Sequence, residues 1–127
     1  MDFTLFQTIV HIVGLLVFHY IGDHLLQTGK MGLEKHKDNI ILIYHVAIYT
    51  VVMTLFANYI FWDFPSDRIV TFFLVTFISH FITDYITSRI NHQLYERKET
   101  KKLLNMIYLD QNLHYFQLII TYYFLVK

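Results

Sequence analysis

Residues 39–62 limit the possible folds more than any other stretch. From Asn39 to Trp62 the chain is apolar nearly all the way round, and His45 is the one residue in it that takes up charge near neutral pH. At about 1.5 Å per residue, a helix of this length crosses a bilayer core of about 30 Å. A helix in a water-soluble bundle needs a polar outer face, and this segment has none to offer. Residues 68–90 read the same way. They are apolar except for His80, Asp84, Arg89 and scattered Ser and Thr, whose hydroxyls can bond the carbonyls of the preceding turn. Only 16% of the chain is charged, against about 25% in an average soluble domain.

Two more segments, about 3–27 and 101–126, are long enough to cross but carry polar residues in one half. The expectation is an all-α integral membrane bundle of four transmembrane helices, about 3–27, 39–62, 68–90 and 101–126, forming one domain over residues 1–127. Gly29 and Gly32 are expected to end the first helix as left-handed caps. Asp38 or Asn39, Ser66 and Thr100 are expected to cap the next three. Asp63-Phe64-Pro65-Ser66-Asp67 reads as a turn, with Trp62 in the interfacial belt. The connections 30–38 and 91–102 are rich in Lys and Arg, whereas the Asp63–Asp67 turn and the N-terminus have almost none. The positive-inside rule then places both basic connections in the cytoplasm and both termini outside it. No Lys or Arg precedes the first apolar run and no small-residue cleavage pattern follows it, so no removable signal peptide is expected. The formal net charge is zero, which argues against a nucleic-acid partner. With no cysteine, disulfides, thiolate nucleophiles and cysteine-ligated zinc are excluded.

The polar residues inside these apolar runs repeat one pattern. His19-x-x-x-Asp23-x-x-x-Gln27 puts three polar side chains on one helix face. His80-x-x-x-Asp84 repeats it, and Asp110-x-x-x-His114 reverses it. Counted from the basic ends of antiparallel helices, Asp23, Asp84 and Asp110 share one depth, together with His45. His19, His80 and His114 lie about one turn, roughly 5.4 Å, deeper. One Asp–His pair alone is an ordinary structural hydrogen bond. Three pairs and His45 in one slab are the pattern of a buried metal site.

An aspartate at the centre of a spanning helix costs about 2.5–3.5 kcal/mol, and three close together repel one another. A divalent cation relieves both problems. Sulfur-free His/Asp ligation suits zinc first, then manganese or iron. The expected ligands are His19, Asp23, His45, His80, Asp84, Asp110 and His114. Gln27 and Gln111 are expected to support them, and Asp84, Asp23 and Asp110 are the candidate catalytic carboxylates. His11 reads as a packed core histidine, and His24, His36 and His92 as exposed or interfacial. The runs Lys30–Lys37 and Arg97–Lys102 read as topology signals that could also attract anionic head groups or phosphates.

Four separated signatures carry a resemblance over nearly the whole chain: His-Tyr-Ile-Gly-Asp-His-Leu-Leu-Gln-Thr from His19, then His45, Ser-His-Phe-Ile-Thr-Asp-Tyr from Ser79, and Leu-Asp-Gln-Asn-Leu-His from Leu109. Together they resemble the small bacterial and phage membrane family known as domain of unknown function 3307. The resemblance implies a small protein of the bacterial inner (plasma) membrane. Its polar pattern corresponds here to His19, Asp23, Gln27, His45, His80, Asp84, Asp110, Gln111 and His114. A more distant similarity, of spacing alone, is to the LexA-regulated inner-membrane metal-dependent hydrolases, and fold does not carry function with it.

Three function classes follow. The first is a metal-dependent hydrolase, in which the metal activates water, a spare carboxylate acts as base, and a site near the interface acts on a lipid or lipid-linked phosphate. The second is a metal-ion or proton carrier or sensor, because relays also use intramembrane carboxylates and imidazoles. Four helices form a thin conduit, so this class implies a homo-oligomer. The third is a non-catalytic, regulatory membrane protein, such as a phage-encoded one. A haem bundle fits poorly beside three carboxylates.

Overall fold

The computed structural model describes residues 4–60 and 65–126, and all regular structure among them is helical. Helix α1 runs Leu5–Tyr20 and passes into a π turn, Ile21–Leu25. A short α2, Gly29–Glu34, follows, then α3 Asn39–Ile60, α4 Ser66–Glu96 and α5 Thr100–Val126. The four long helices form a closed ring. Helix α3 packs on α4 and α4 on α5, and α1 touches both α3 and α5. Arg68 at the start of α4 donates to the Leu125 carbonyl at the end of α5, as antiparallel neighbours require.

Local chemistry sets the boundaries. The Thr4 hydroxyl caps α1 in a reciprocal capping box with Gln7, and Asp38 caps α3 by accepting from the Ile40 amide at 2.8 Å. The other expected caps differ. Gly29 and Gly32 lie within α2 and no described glycine has positive φ, because the Thr28 hydroxyl accepts from the Met31 amide and starts a new helix there. Ser66 and Thr100 are the first residues of their helices. Pro65 stands in the cap position before Ser66, and the Glu99 carbonyl accepts the bond from Leu103. Helix α4 runs six residues past the expected end, to Glu96. It closes with the Glu99 amide on the Leu94 carbonyl and the Lys98 amide on that of Tyr95. This is a Schellman motif, with Lys98 at φ 57° where glycine usually sits. Trp62, Asp63 and Phe64 fall outside the described residues.

The helices divide lengthwise. Toward the α3–α4 turn, the centre is an apolar cluster that includes Leu15, Met53, Phe56, Phe72 and Leu118. Helix α1 comes very close to α3 here: a Cβ on Gly14 would stand 2.2 Å from Cζ of Phe56. Toward α2, the buried positions are polar: His19, Asp23, His45, His80, Asp84, Asp110 and His114.

Along the spanning stretches the outer surface is largely apolar, with Val13 and Val17 on α1, Val51 and Leu55 on α3, and Leu74, Ile78 and Ile82 on α4 all exposed. Three helical stretches, Leu5–Leu25, Asn39–Ile60 and Ser66–Glu96, are long and apolar enough to cross a membrane. Helix α5 is 27 residues long, but Asn105, Asp110, Gln111, Asn112 and Gln117 interrupt its apolar run, and it is not one of those three stretches.

Candidate metal centre

Helix α4 shows how these helices serve the centre. Its buried positions are Phe72, Thr76, His80, Asp84, Thr87 and Ser88. They recur every three or four residues, and all but the first are polar. The helix is therefore polar inside and apolar outside. Helix α3 adds His45 and Tyr49 and α5 adds Asp110 and His114. Helix α1 brings His19, and its π turn brings Asp23. In that turn the Leu26 amide bonds the Ile21 carbonyl, five residues back. Such bulges recur at functional sites. Gly22 within it lets α1 approach Tyr49, where a Cβ would be 3.0 Å from Cδ2 of the ring.

Four donor atoms converge. His45 Nε2 lies 3.1 Å from Asp23 Oδ1 and 3.2 Å from Asp84 Oδ2. His80 Nε2 lies 3.4 Å from Asp23 Oδ1, 3.7 Å from Asp84 Oδ2 and 3.4 Å from His45 Nε2. Ligands held about 2.0–2.2 Å from a tetrahedral ion stand about 3.3–3.6 Å apart, whereas N–H···O hydrogen bonds centre near 2.9–3.0 Å. The two His45 contacts fall between the two ranges. The His80 contacts and the nitrogen–nitrogen approach are long for hydrogen bonds and match the spacing of ligands around an ion.

Asp84 turns its other oxygen to a second group. Its Oδ1 lies 3.2 Å from His114 Nε2, which in turn is 3.6 Å from Asp110 Oδ1. Asp110 Oδ1 accepts from the Thr87 hydroxyl at 2.6 Å, and its Oδ2 accepts from the Gln111 amide at 3.1 Å. Both groups bring together side chains able to hold a metal ion. Stacking aligns the rings, with Tyr49 3.9 Å from His80 and His80 4.2 Å from His114. The Nδ1 atoms of His80 and His114 are buried without a hydrogen-bond partner, so within the cluster each ring commits only its Nε2.

Gln111 joins the parts. Its amide nitrogen donates to Asp23 Oδ2 at 3.0 Å, and its oxygen accepts from His19 Nε2 at 3.0 Å. This assigns the proton of His19 to Nε2, so Nδ1 accepts from the Tyr49 hydroxyl at 2.9 Å. Both nitrogens of His19 are thereby engaged, and it stands outside the two convergent groups.

Lys35 enters from the connection after α2. Its Nζ lies 2.6 Å from Asp84 Oδ2 and 3.5 Å from His45 Nε2. Counted with unprotonated imidazoles, the three carboxylates and the Lys35 ammonium beside Asp84 sum to two net negative charges. Buried charge of that size needs compensation. One divalent cation matches it, and so do two imidazolium protons.

Asp23, His45, His80, Asp84, Asp110 and His114 therefore meet as their spacing predicts, Gln111 lines the cluster as a supporting residue, and His19 joins through hydrogen bonds. Gln27 does not. The π turn ends the helix at Leu25, so the stripe breaks one turn before Gln27, whose amide nitrogen lies against Gly32 instead. His11 is half-buried and bonds the Tyr122 hydroxyl at 3.1 Å. His24 is exposed and His36 and His92 are half-buried. Spacing could have supplied two residues missed from the sequence: Tyr49 is four past His45, and Thr87 is three past Asp84. For Lys35, in an irregular connection, no periodic signal exists.

Residues 11–127 match the family described as "Protein of unknown function (DUF3307)". No curated protein and no solved structure matches the chain.

Proposed function

The chain belongs to the DUF3307 family, and on that premise we propose that it is a membrane-embedded, metal-dependent hydrolase of lipid or lipid-linked phosphate. The observation that carries the reading is the convergence of Asp23 Oδ1, His45 Nε2, His80 Nε2 and Asp84 Oδ2, whose separations of 3.1–3.7 Å bracket the edges of a tetrahedral ligand shell. Two imidazoles and two carboxylates suit zinc first, with manganese or iron as alternatives. The charge balance favours a single ion.

A divalent ion held there by Asp23, His45, His80 and Asp84 would supply Lewis acidity toward a phosphoryl oxygen and would acidify water toward neutral pH. The remaining work falls to the chain. Asp110 is the base, since it stands outside the four-atom group and Thr87 and Gln111 orient both its oxygens. Asp110 takes the proton of the attacking water, shares it with His114 Nε2 3.6 Å away, and gives it up to the ester oxygen that leaves as the phosphorus–oxygen bond breaks. Lys35 offsets negative charge beside Asp84.

We read α5 as a fourth crossing, because Asp110 and His114 are buried while Leu109, Leu113, Phe116 and Ile120 face outward. Both termini then lie outside the cytoplasm, and the centre opens at the cytoplasmic face of a bacterial inner membrane. A conduit fits less well. Beyond the centre, Met53, Phe56, Ala57, Phe72 and Leu118 fill the bundle axis, and Asn58 is exposed.

The test is turnover of phosphatidic acid in mixed micelles by wild type and Asp110→Asn. The variant should keep its metal and lose about 100-fold or more in rate, as removal of a general base does. Equal rates would reject Asp110 as the base. No release of phosphate by metal-loaded wild type from this and related lipid phosphates would reject the hydrolase.

A further inference from the structure

Beside the centre, a groove of about 580 Å³ lies between the end of α2, the last turns of α4 and the start of α5. Lys35, His36, Lys37 and His92 line it, and none of its lining residues is acidic. His36 and His92 stack face to face at 3.7 Å. Burial, then the neighbouring His92, Lys37 and Arg89, hold His36 below the ordinary imidazole range. The groove's positive charge comes from Lys37, which is exposed and stands 3.7 Å from Glu34 Oε1, and from Lys35 where it passes to the centre, with Arg89 close by. Two further polar atoms on the lining, Ser88 Oγ and Asn91 Oδ1, are buried with no hydrogen-bond partner, and Ser88 as a whole is only 9% exposed. An unmatched buried hydroxyl is costly, and a ligand oxygen would relieve it. Lys35 belongs to both places, since it lines the groove and its ammonium lies on Asp84.

We propose that this groove binds the phosphate group of an anionic ligand and delivers it, past Lys35, to the aspartate–histidine centre. The idea deepens the hydrolase reading by placing where the phosphate is first held, and it rests on that reading only for delivery. The recognition chemistry is charge-assisted: lysine ammoniums and the Ser88 hydroxyl donate to phosphate oxygens, and either histidine can add a donor. Leu33, Tyr95 and Leu103 supply an apolar wall on the same groove, which suits the glycerol or acyl part of a lipid.

The experiment is equilibrium dialysis of radiolabelled inorganic phosphate against the full chain in detergent, with and without chelator. Wild type should bind phosphate in both conditions. Lys37→Ala and His92→Ala should each weaken binding about tenfold, the scale of one charged hydrogen bond, while leaving the melting temperature unchanged. Competition then identifies the source. Displacement by nanodiscs containing phosphatidic acid, but not by phosphatidylcholine alone, indicates a lipid phosphate. Indifference to both indicates a soluble ester. Either outcome supports the groove. Phosphate binding that vanishes with chelator and in Asp84→Asn, yet is untouched by Lys37→Ala and His92→Ala, would place the anion on the metal and overturn the groove while sparing the metal centre. No binding in any condition would overturn the groove as well.

Discussion

The two halves of the bundle are built from the same helices but hold together differently. In one half the axis is filled by Leu15, Met53, Phe56, Phe72 and Leu118, and its cohesion is close packing. In the other half the axis is carboxylate, imidazole, amide and ammonium, linked by contacts of 2.6–3.9 Å. Both halves show an apolar exterior, so their difference owes nothing to water outside. The contrast teaches that the polar half is not a stability device. Close packing could continue there with apolar residues, and a cluster of buried charges is seldom more stabilising than well-packed hydrophobics of the same volume. Its arrangement fits the metal-dependent chemistry proposed above.

The largest expected break lies in the polar half. Asp84→Ala removes the carboxylate shared by both donor groups and should weaken metal binding more than about 100-fold, beyond the usual loss of a supporting residue; isothermal titration with zinc measures it. Gly14→Ala should do the reverse. Its methyl group would force Phe56 aside and cost about 1–3 kcal/mol, with metal stoichiometry unchanged. Thermal unfolding paired with elemental analysis reads both effects, and loss of metal in Gly14→Ala would mean that the halves are coupled.

Tyr49→Phe tests the seam between them. It leaves the buried Nδ1 of His19 without its donor and should cost about 1–3 kcal/mol. Metal affinity should also respond to pH. The imidazoles must be unprotonated to bind, so uptake releases protons and affinity should fall as pH drops from about 8 to about 6. An affinity unchanged over that range would argue against imidazole ligands. The smallest effect lies outside both halves: Lys98→Gly relieves a left-handed backbone and should stabilise by about 1 kcal/mol.

Much of this architecture is legible from the sequence. Apolar runs of spanning length mark α1, α3 and α4, and matched depth across antiparallel helices brings Asp23, His45, His80, Asp84, Asp110 and His114 together. Periodicity carries those inferences, and they stop where periodicity stops. The π turn adds a residue to one turn and separates Gln27 from its stripe. Lys35 reaches Asp84 from a non-helical connection, so no face or register assigns it. The short α2 arises because a threonine cap can restart a helix through two glycines. Helix α5 is ambiguous for a different reason: an average over its residues cannot tell polar groups turned into a bundle from polar groups facing outward.

The most direct measurement is the metal content of protein purified without a metal-binding tag, for wild type and the His80→Ala/Asp84→Ala variant. A divalent-metal centre predicts about one equivalent of a transition metal in wild type and none in the variant. No metal in wild type, even after reconstitution with zinc, manganese and iron, would contradict it and leave the cluster as a proton-holding network.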